Sequence, residues 1–173
     1  MASDAADVSS LQRSEGADVP GDDDKEQHVS GLSLEGNLEF LLTDLRGSRV
    51  TLRQLDSQGI PVITHEVLAK GAPTIIGVKV PDLSKQPVII KVKQGEQVVQ
   101  NDCTREFCDD AGFQEMLKLY GGLRAQIVTP IVSNGAVLAV VSLHVLNESR
   151  SWSTEEIAQC SATAELIKEQ LQS

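Results

Sequence analysis

The sequence is short of aromatic residues, which make up 3% of its 173 positions: Phe40, Phe107, Phe113, Tyr120 and Trp152. That scarcity argues against a stacking platform for single-stranded nucleic acid, which needs several exposed rings. Basic side chains are also few. Fifteen Lys and Arg face twenty-five Asp and Glu, for a net charge of −10, so the surplus cation that holds a phosphate backbone is missing. Long apolar runs are absent too, the longest aliphatic stretch being residues 136–141, too short to span a bilayer. Residues 1–10 have neither a basic start nor an apolar core, so no secretory signal is expected. Three cysteines make no disulfide framework in a chain of this size. These absences point to a cytoplasmic protein that binds neither nucleic acid nor membrane.

What is present is 40% hydrophobic and 23% charged residues, enough for one compact core. The acidity is uneven. Residues 1–30 hold eight acids, among them Asp22, Asp23 and Asp24, against Arg13 and Lys25, and so carry −6 of the −10. Such a segment cannot bury enough apolar surface to offset its ordering entropy, and it reads as an acidic disordered tail. The domain proper is expected over residues 31–173.

Leu34, Leu38, Leu41, Leu42 and Leu45 recur with helical period, between Ser33 as N-cap and Gly47 as terminator. Residues 49–56 and 60–68 read as two strands around a Ser57-Gln58-Gly59 turn. Residues 71–86 read as loop, with a further strand conceivable at 74–80. Residues 87–92 and 96–100, flanking Lys93-Gln94-Gly95, read as another strand pair. A helix is expected over 109–120, stopped by Gly121-Gly122. Residues 125–132 and 136–146 read as a hairpin, because Asn134-Gly135 suits the positive φ of a type I′ turn. Apolar residues on both faces of these strands predict a central, covered pair. A pairing that sums to about 269 would set Gln126 near Leu143 and Ile127 near Ser142. The last helix opens on Ser153-Thr154-Glu155-Glu156, a capping box. Its seam of Ile157, Cys160, Ala164, Ile167 and Leu171 suits a partner helix, either in the same fold or across a dimer.

Several of these segments resemble the GAF domain family. Ile127-Val128-Thr129-Pro130-Ile131 before Asn134-Gly135, then residues 137–143, then Arg150-Ser151-Trp152-Ser153 with Glu155-Glu156 are similar to its closing hairpin and helix. Gln97-Val98-Val99-Gln100-Asn101-Asp102 is similar to a pocket-side strand running into an aspartate. The resemblance implies an α+β fold, GAF-like and profilin/PAS-like. A central antiparallel sheet would carry the terminal helices on one face. Loops and a helix would enclose a small-molecule pocket on the other. It also implies dimerisation through the terminal helices.

Within the family, the cyclic-nucleotide signature Asn-Lys-Phe-Asp-Glu is not found here. Bilin attachment uses a Cys followed by His, and Cys103-Thr104, Cys108-Asp109 and Cys160-Ser161 do not match. Haem would need an axial ligand such as His144, but a lone His in an apolar strand is more simply a hydrogen-bonded residue. His28, His65 and His144 form no metal-ligand spacing with the cysteines, so no metal and no cofactor is assigned. The polar side chains embedded in this apolar setting are the ligand candidates: Asp102, Tyr120, Arg124, Gln126, Thr129, Ser142 and His144. Each must be paired internally or offered to a ligand. The expected function is a sensory or regulatory module, without catalysis of its own, that binds a small molecule or a protein partner and acts as a homodimer. Two alternatives stand beside it. One is a stand-alone redox enzyme using Cys103 and Cys108, as in free methionine-R-sulfoxide reductase. The other is a ligand-free dimerisation scaffold.

Overall fold

A computed structural model describes residues 31–173; the proposed acidic tail at 1–30 lies outside them. The chain runs α1 (Leu34–Asp44), β1 (Arg49–Leu55), β2 (Pro61–Leu68), a 3-10 turn (Leu83–Lys85), α2 (Pro87–Lys93), β3 (Val98–Gln100), α3 (Ala111–Leu119), β4 (Leu123–Ser133), β5 (Ala136–Leu146) and α4 (Thr154–Gln172). The strands form one antiparallel sheet in the order β2-β1-β5-β4-β3. The hairpin β4–β5 therefore occupies the middle, as its two apolar faces require. Asn134 and Gly135 take φ 52° and 77° at its turn, as a type I′ turn needs.

The strand period divides the side chains between two layers. Val50 and Leu52 of β1, Ile127 and Ile131 of β4, and Ala139, Val141 and Leu143 of β5 meet α1 and α4 on one face. Arg49, Thr51 and Arg53 of β1 lie on the other, with Val98 of β3, Val128 of β4 and Val140 of β5. Helices α2 and α3 and the long loops cover that second face. Helix starts agree with local chemistry. The Ser33 hydroxyl accepts from the Gly36 amide at 3.0 Å and the Asp110 carboxylate from that of Phe113 at 2.9 Å. Ser153 and Glu156 complete their reciprocal capping box at 3.1 and 3.0 Å.

Three sequence expectations are corrected. Residues 87–93 are helix, not strand. Pro87 at the first helical position has a preset φ and no amide to lose, and Val88, Ile89 and Val92 then share one buried side. The β-branched run imitates a strand locally, while burial of that side against the sheet decides for helix. Consequently β3 pairs with β4 and not with residues 87–92. Residues 74–80 form no strand. The hairpin register is also one residue off the expected value over most of its length, with Gln126 opposite His144 and Ile127 opposite Leu143. The expected pairing holds beside the turn, at Val132–Val137 and Ser133–Ala136, and again at the far end, at Leu123–Leu146. Opposite the Ile131–Val132 step β5 carries one extra residue, Leu138, as a bulge does.

The seam of α4 is used inside the domain. Cys160, Ala164 and Ile167 are buried in the core with α1, and Ile157 and Leu171 pack against its margin. The outward side of α4 presents Glu155, Ser161, Glu165 and Glu169. Ile167→Glu should therefore unfold the domain or lower its stability by at least about 3 kcal/mol, through lost packing and a buried charge. Urea titration followed by circular dichroism reads this. A fully stable variant altered only in its association state would contradict the packing described.

Candidate functional site

The second face of the sheet is aliphatic except for a band of polar side chains crossing the strands. Arg49 pairs with His144, Thr51 with Ser142, His144 with Gln126, and Gln126 with Gln100, and all six are buried. The bulge in β5, at Leu138, creates this band, because it brings Gln126 onto the His144 row.

Arg49 organises the band. Its side chain is fully buried. Nε donates to His144 Nδ1 at 3.1 Å, Nη1 to the Pro73 carbonyl at 2.8 Å and Nη2 to the Tyr120 carbonyl at 2.8 Å. A guanidinium can only donate, so Nδ1 must be unprotonated and the single ring proton of His144 sits on Nε2. Burial and the charges of Arg49 and Arg53 hold the His144 pKa well below its ordinary value, and the ring is neutral. The Arg49 guanidinium is itself pushed down to about 10, mainly by burial, with Glu66 acting in the opposite direction. Glu66 is engaged elsewhere, accepting from the Thr74 hydroxyl and from the Ile75 amide at 2.9 Å. Gly121, at φ 81°, lets the Pro73 loop approach: a Cβ there would lie 2.7 Å from Pro73 Cγ.

Tyr120 stacks on His144, with ring centroids 5.9 Å apart, and its hydroxyl accepts from Arg53 Nη2 at 2.7 Å. Gln126 donates through Nε2 to Gln100 Oε1 at 2.6 Å, and Gln100 donates onward to Glu106 at 2.9 Å. Gln126 thus turns its own Oε1 away from Gln100. Between these groups and α2 lies a cavity of about 30 Å³, whose polar lining is Arg53, Gln86, Tyr120, Gln126, Ser142 and His144. Gln86 Oε1 is buried with no donor among the described residues, and so is Thr51 Oγ1 beside the cavity.

Of the seven ligand candidates, Tyr120, Gln126, Ser142 and His144 converge on this cavity. The other three stand elsewhere. Arg124 and Asp102 clamp each other at the end of β4, Nε to Oδ1 at 2.7 Å and Nη2 to Oδ2 at 3.0 Å. That clamp and the Thr104 hydroxyl hold the Asp102 carboxyl well below the usual range. Thr129 points to the opposite face, where Gln97 Nε2 reaches its hydroxyl at 3.0 Å and that of Ser161 at 3.1 Å. Sequence reasoning missed Arg49, Arg53, Gln86 and Gln100. A usable signal existed, since Arg49, Thr51 and Arg53 repeat at period two with no acid between them.

The cysteines do not form a redox pair at this site. Cys103 is buried, donates to Gln100 Oε1 at 3.5 Å, and is pushed up to about 12, chiefly by burial, whereas Cys108 is exposed. Among the described residues no group of three or more His, Cys, Asp or Glu could hold a metal ion, and no helix is long and apolar enough to cross a membrane.

With this geometry in place, comparison with known proteins places the fold. The GAF domain profile matches residues 34–171, so the chain belongs to the GAF domain family. No curated protein matches the sequence. Among solved structures, the GAF domain of the cyanobacteriochrome TePixJ is similar at TM-score 0.71 and 20% identity, covering 83% of this chain and 92% of its own. The photoproduct state of GAF3 from Slr1393 of Synechocystis sp. PCC6803 gives 0.67 and 13%, covering 80% and 90%. The far-red absorbing dark state of JSC1_58120g3 with bound biliverdin IXa gives 0.68 and 15%, covering 87% and 96%. At these identities the likeness is one of fold.

The site does not fit a tetrapyrrole. Its cavity of about 30 Å³ compares with roughly 300–1,000 Å³ for a drug-sized ligand, and no cysteine lines it. His144, the haem-ligand candidate, gives Nδ1 to Arg49 and stacks on Tyr120.

The buried neutral histidine makes stability depend on pH. The unfolded chain binds a proton on His144 near its ordinary pKa of 6.5, and the native domain does not. The unfolded state then holds more protons, so stability falls as pH drops below 6.5, by up to about 1.4 kcal/mol per pH unit. Denaturant midpoints between pH 7 and 5 should show this slope and show it flattened in His144→Gln. An equal slope in the variant would mean that His144 is protonated in the fold.

Proposed function

We propose that this chain is a ligand-binding regulatory GAF domain, without catalysis of its own, that holds a small polar molecule against the Arg53, Tyr120, Gln126, Ser142 and His144 face. One observation carries the reading: polar groups from β1, β4, β5 and the end of α3 converge, in an otherwise aliphatic layer, on a cavity. Interior polar atoms are normally paired, and a ligand gives these their partners. Asp102 and Arg124 enter this reading as a clamp that sets the loop after β3, outside direct contact with ligand. Thr129 belongs to the packing of α4. The redox alternative is disfavoured by a Cys103 thiol that stays protonated at neutral pH, since only the thiolate attacks.

The site lies wholly within residues 31–173, and the acidic tail is assigned no part in it. Three free thiols suit a reducing cytoplasm. A response would pass to a protein partner or a second copy. Such association would use a surface other than the α4 seam.

Native mass spectrometry of the freshly purified chain tests this. A stoichiometric mass excess that is lost on denaturation is expected. It should persist in Arg124→Ala and bind about fivefold more weakly in Gln126→Leu and Ser142→Ala, the loss of one neutral hydrogen bond. Loss of the ligand in Arg124→Ala alone would move the site to the end of β4. A chain that carries no small molecule and takes up none would contradict the reading.

A further inference from the structure

The cavity has a charge that the fold does not balance. Two arginines, Arg49 and Arg53, are buried on one strand face four residues apart, with Thr51 between them, and no carboxylate lies within ion-pair distance of either among the described residues. Glu66, the acid closest to filling that role, is engaged by Thr74 and Ile75. An isolated buried charge is costly unless paired. Arg53 reaches the cavity wall, and its bonds to protein are the Tyr120 hydroxyl and a long 3.4 Å contact to the Pro61 carbonyl. Other donors at the cavity include the Ser142 hydroxyl and the Nε2–H of His144, neither bonded to protein among the described residues, beside the Tyr120 hydroxyl hydrogen and the Gln86 amide. No acid lines it. The same lining also holds acceptors: Gln86 Oε1 is buried and without a donor, and Gln126 offers the oxygen that Gln100 does not use.

From this juxtaposition we infer that the cavity binds a compact oxyanion that also carries a hydroxyl hydrogen, its negative oxygens facing Arg53, Ser142 and His144 and its hydroxyl facing Gln86. A small 2-hydroxy acid and bicarbonate share this chemistry. The size agrees. By the measure in which one water needs roughly 10–15 Å³, about 30 Å³ admits a group of a few heavy atoms, such as a carboxylate. The inference rests on the ligand-binding reading above and names the ligand class. It requires Arg53 to act as a fork donor and Arg49 to supply field and orientation through His144.

The test is isothermal titration and thermal unfolding of the full chain in chloride buffer at constant ionic strength. The probes are sodium lactate, sodium bicarbonate and sodium acetate, with lactamide and acetamide as uncharged analogues. Lactate or bicarbonate should bind at millimolar concentration or below and raise Tm by about 3–5 °C at ten times Kd. Acetate, lacking the hydroxyl, should bind several-fold more weakly, and the amides should not bind. Arg53→Gln should weaken binding about 10- to 100-fold and Ser142→Ala about 3- to 10-fold, and the second variant leaves both guanidiniums in place. Amides binding as tightly as acids would overturn the anion inference and leave a ligand-binding domain standing. A carried neutral molecule, with no anion competing for it, would do the same. Unchanged anion binding in both variants would place the anion outside the cavity and overturn the inference. No binding of any probe to the wild-type chain would overturn it as well, and the mass spectrum would then decide separately whether the ligand-binding reading survives.

Discussion

The Arg49 guanidinium is the point on which the second layer depends. Among the described residues it is buried without an ion-pair partner, and its three bonds go to three different parts of the chain: the His144 ring on β5, the Pro73 carbonyl and the Tyr120 carbonyl at the end of α3. Hydrogen bonds from a charged donor contribute about 1.5–3 kcal/mol each when both partners are well placed, and here they offset the desolvation of the cation. The bonds also define geometry. The Pro73 loop and the end of α3 are fastened to the sheet at one atom group, and the histidine between them keeps a single tautomer. Two residues that line the cavity, His144 and Tyr120, are thereby placed by Arg49.

This explains the contrast between the two faces. Under α1 and α4 the sheet meets mainly aliphatic side chains, which pack without direction, and the seam of α4 is buried there. On the other face the same strands place arginine, glutamine, serine and histidine in rows, and each needs a directed partner. The first layer makes the domain stable. The second gives it a place where an outside molecule can complete a hydrogen-bond set. Fold membership does not choose that molecule, because one fold hosts many functions. On the proposed reading the choice belongs to Arg53, Gln86, Gln126, Ser142 and His144.

Much of the architecture was legible from local signals. The leucine period of α1, the Asn134-Gly135 turn and the Ser153–Glu156 capping box each depend on residues within one turn or hairpin, and each formed as expected. The misreadings lie where tertiary context decides. The Val88–Val92 segment is β-branched and locally ambiguous, and it is helical because its buried side fits against the sheet. The hairpin register turns on one extra residue of β5, Leu138, opposite the Ile131–Val132 step, which alternation alone does not reveal. The site was half legible. Tyr120, Gln126, Ser142 and His144 stood out as polar residues in apolar runs. Arg49 and Arg53 did not, because a strand alternating polar and apolar reads as solvent-facing on its polar side. Only the cover provided by α2, α3 and the loops turns that side into an interior.

The central claim is that Arg49 fixes His144 as a neutral ring with its proton on Nε2, facing a cavity that receives an anion. Long-range nitrogen–proton correlation on the uniformly labelled chain reads the tautomer directly. The account predicts a neutral Nε2–H imidazole from pH 7 down to pH 5, with Nδ1 as acceptor and the Nε2–H resonance shifting when lactate or bicarbonate is added. A ring protonated on Nδ1, or an imidazolium within that range, or an Nε2–H signal that no anion moves, would contradict it.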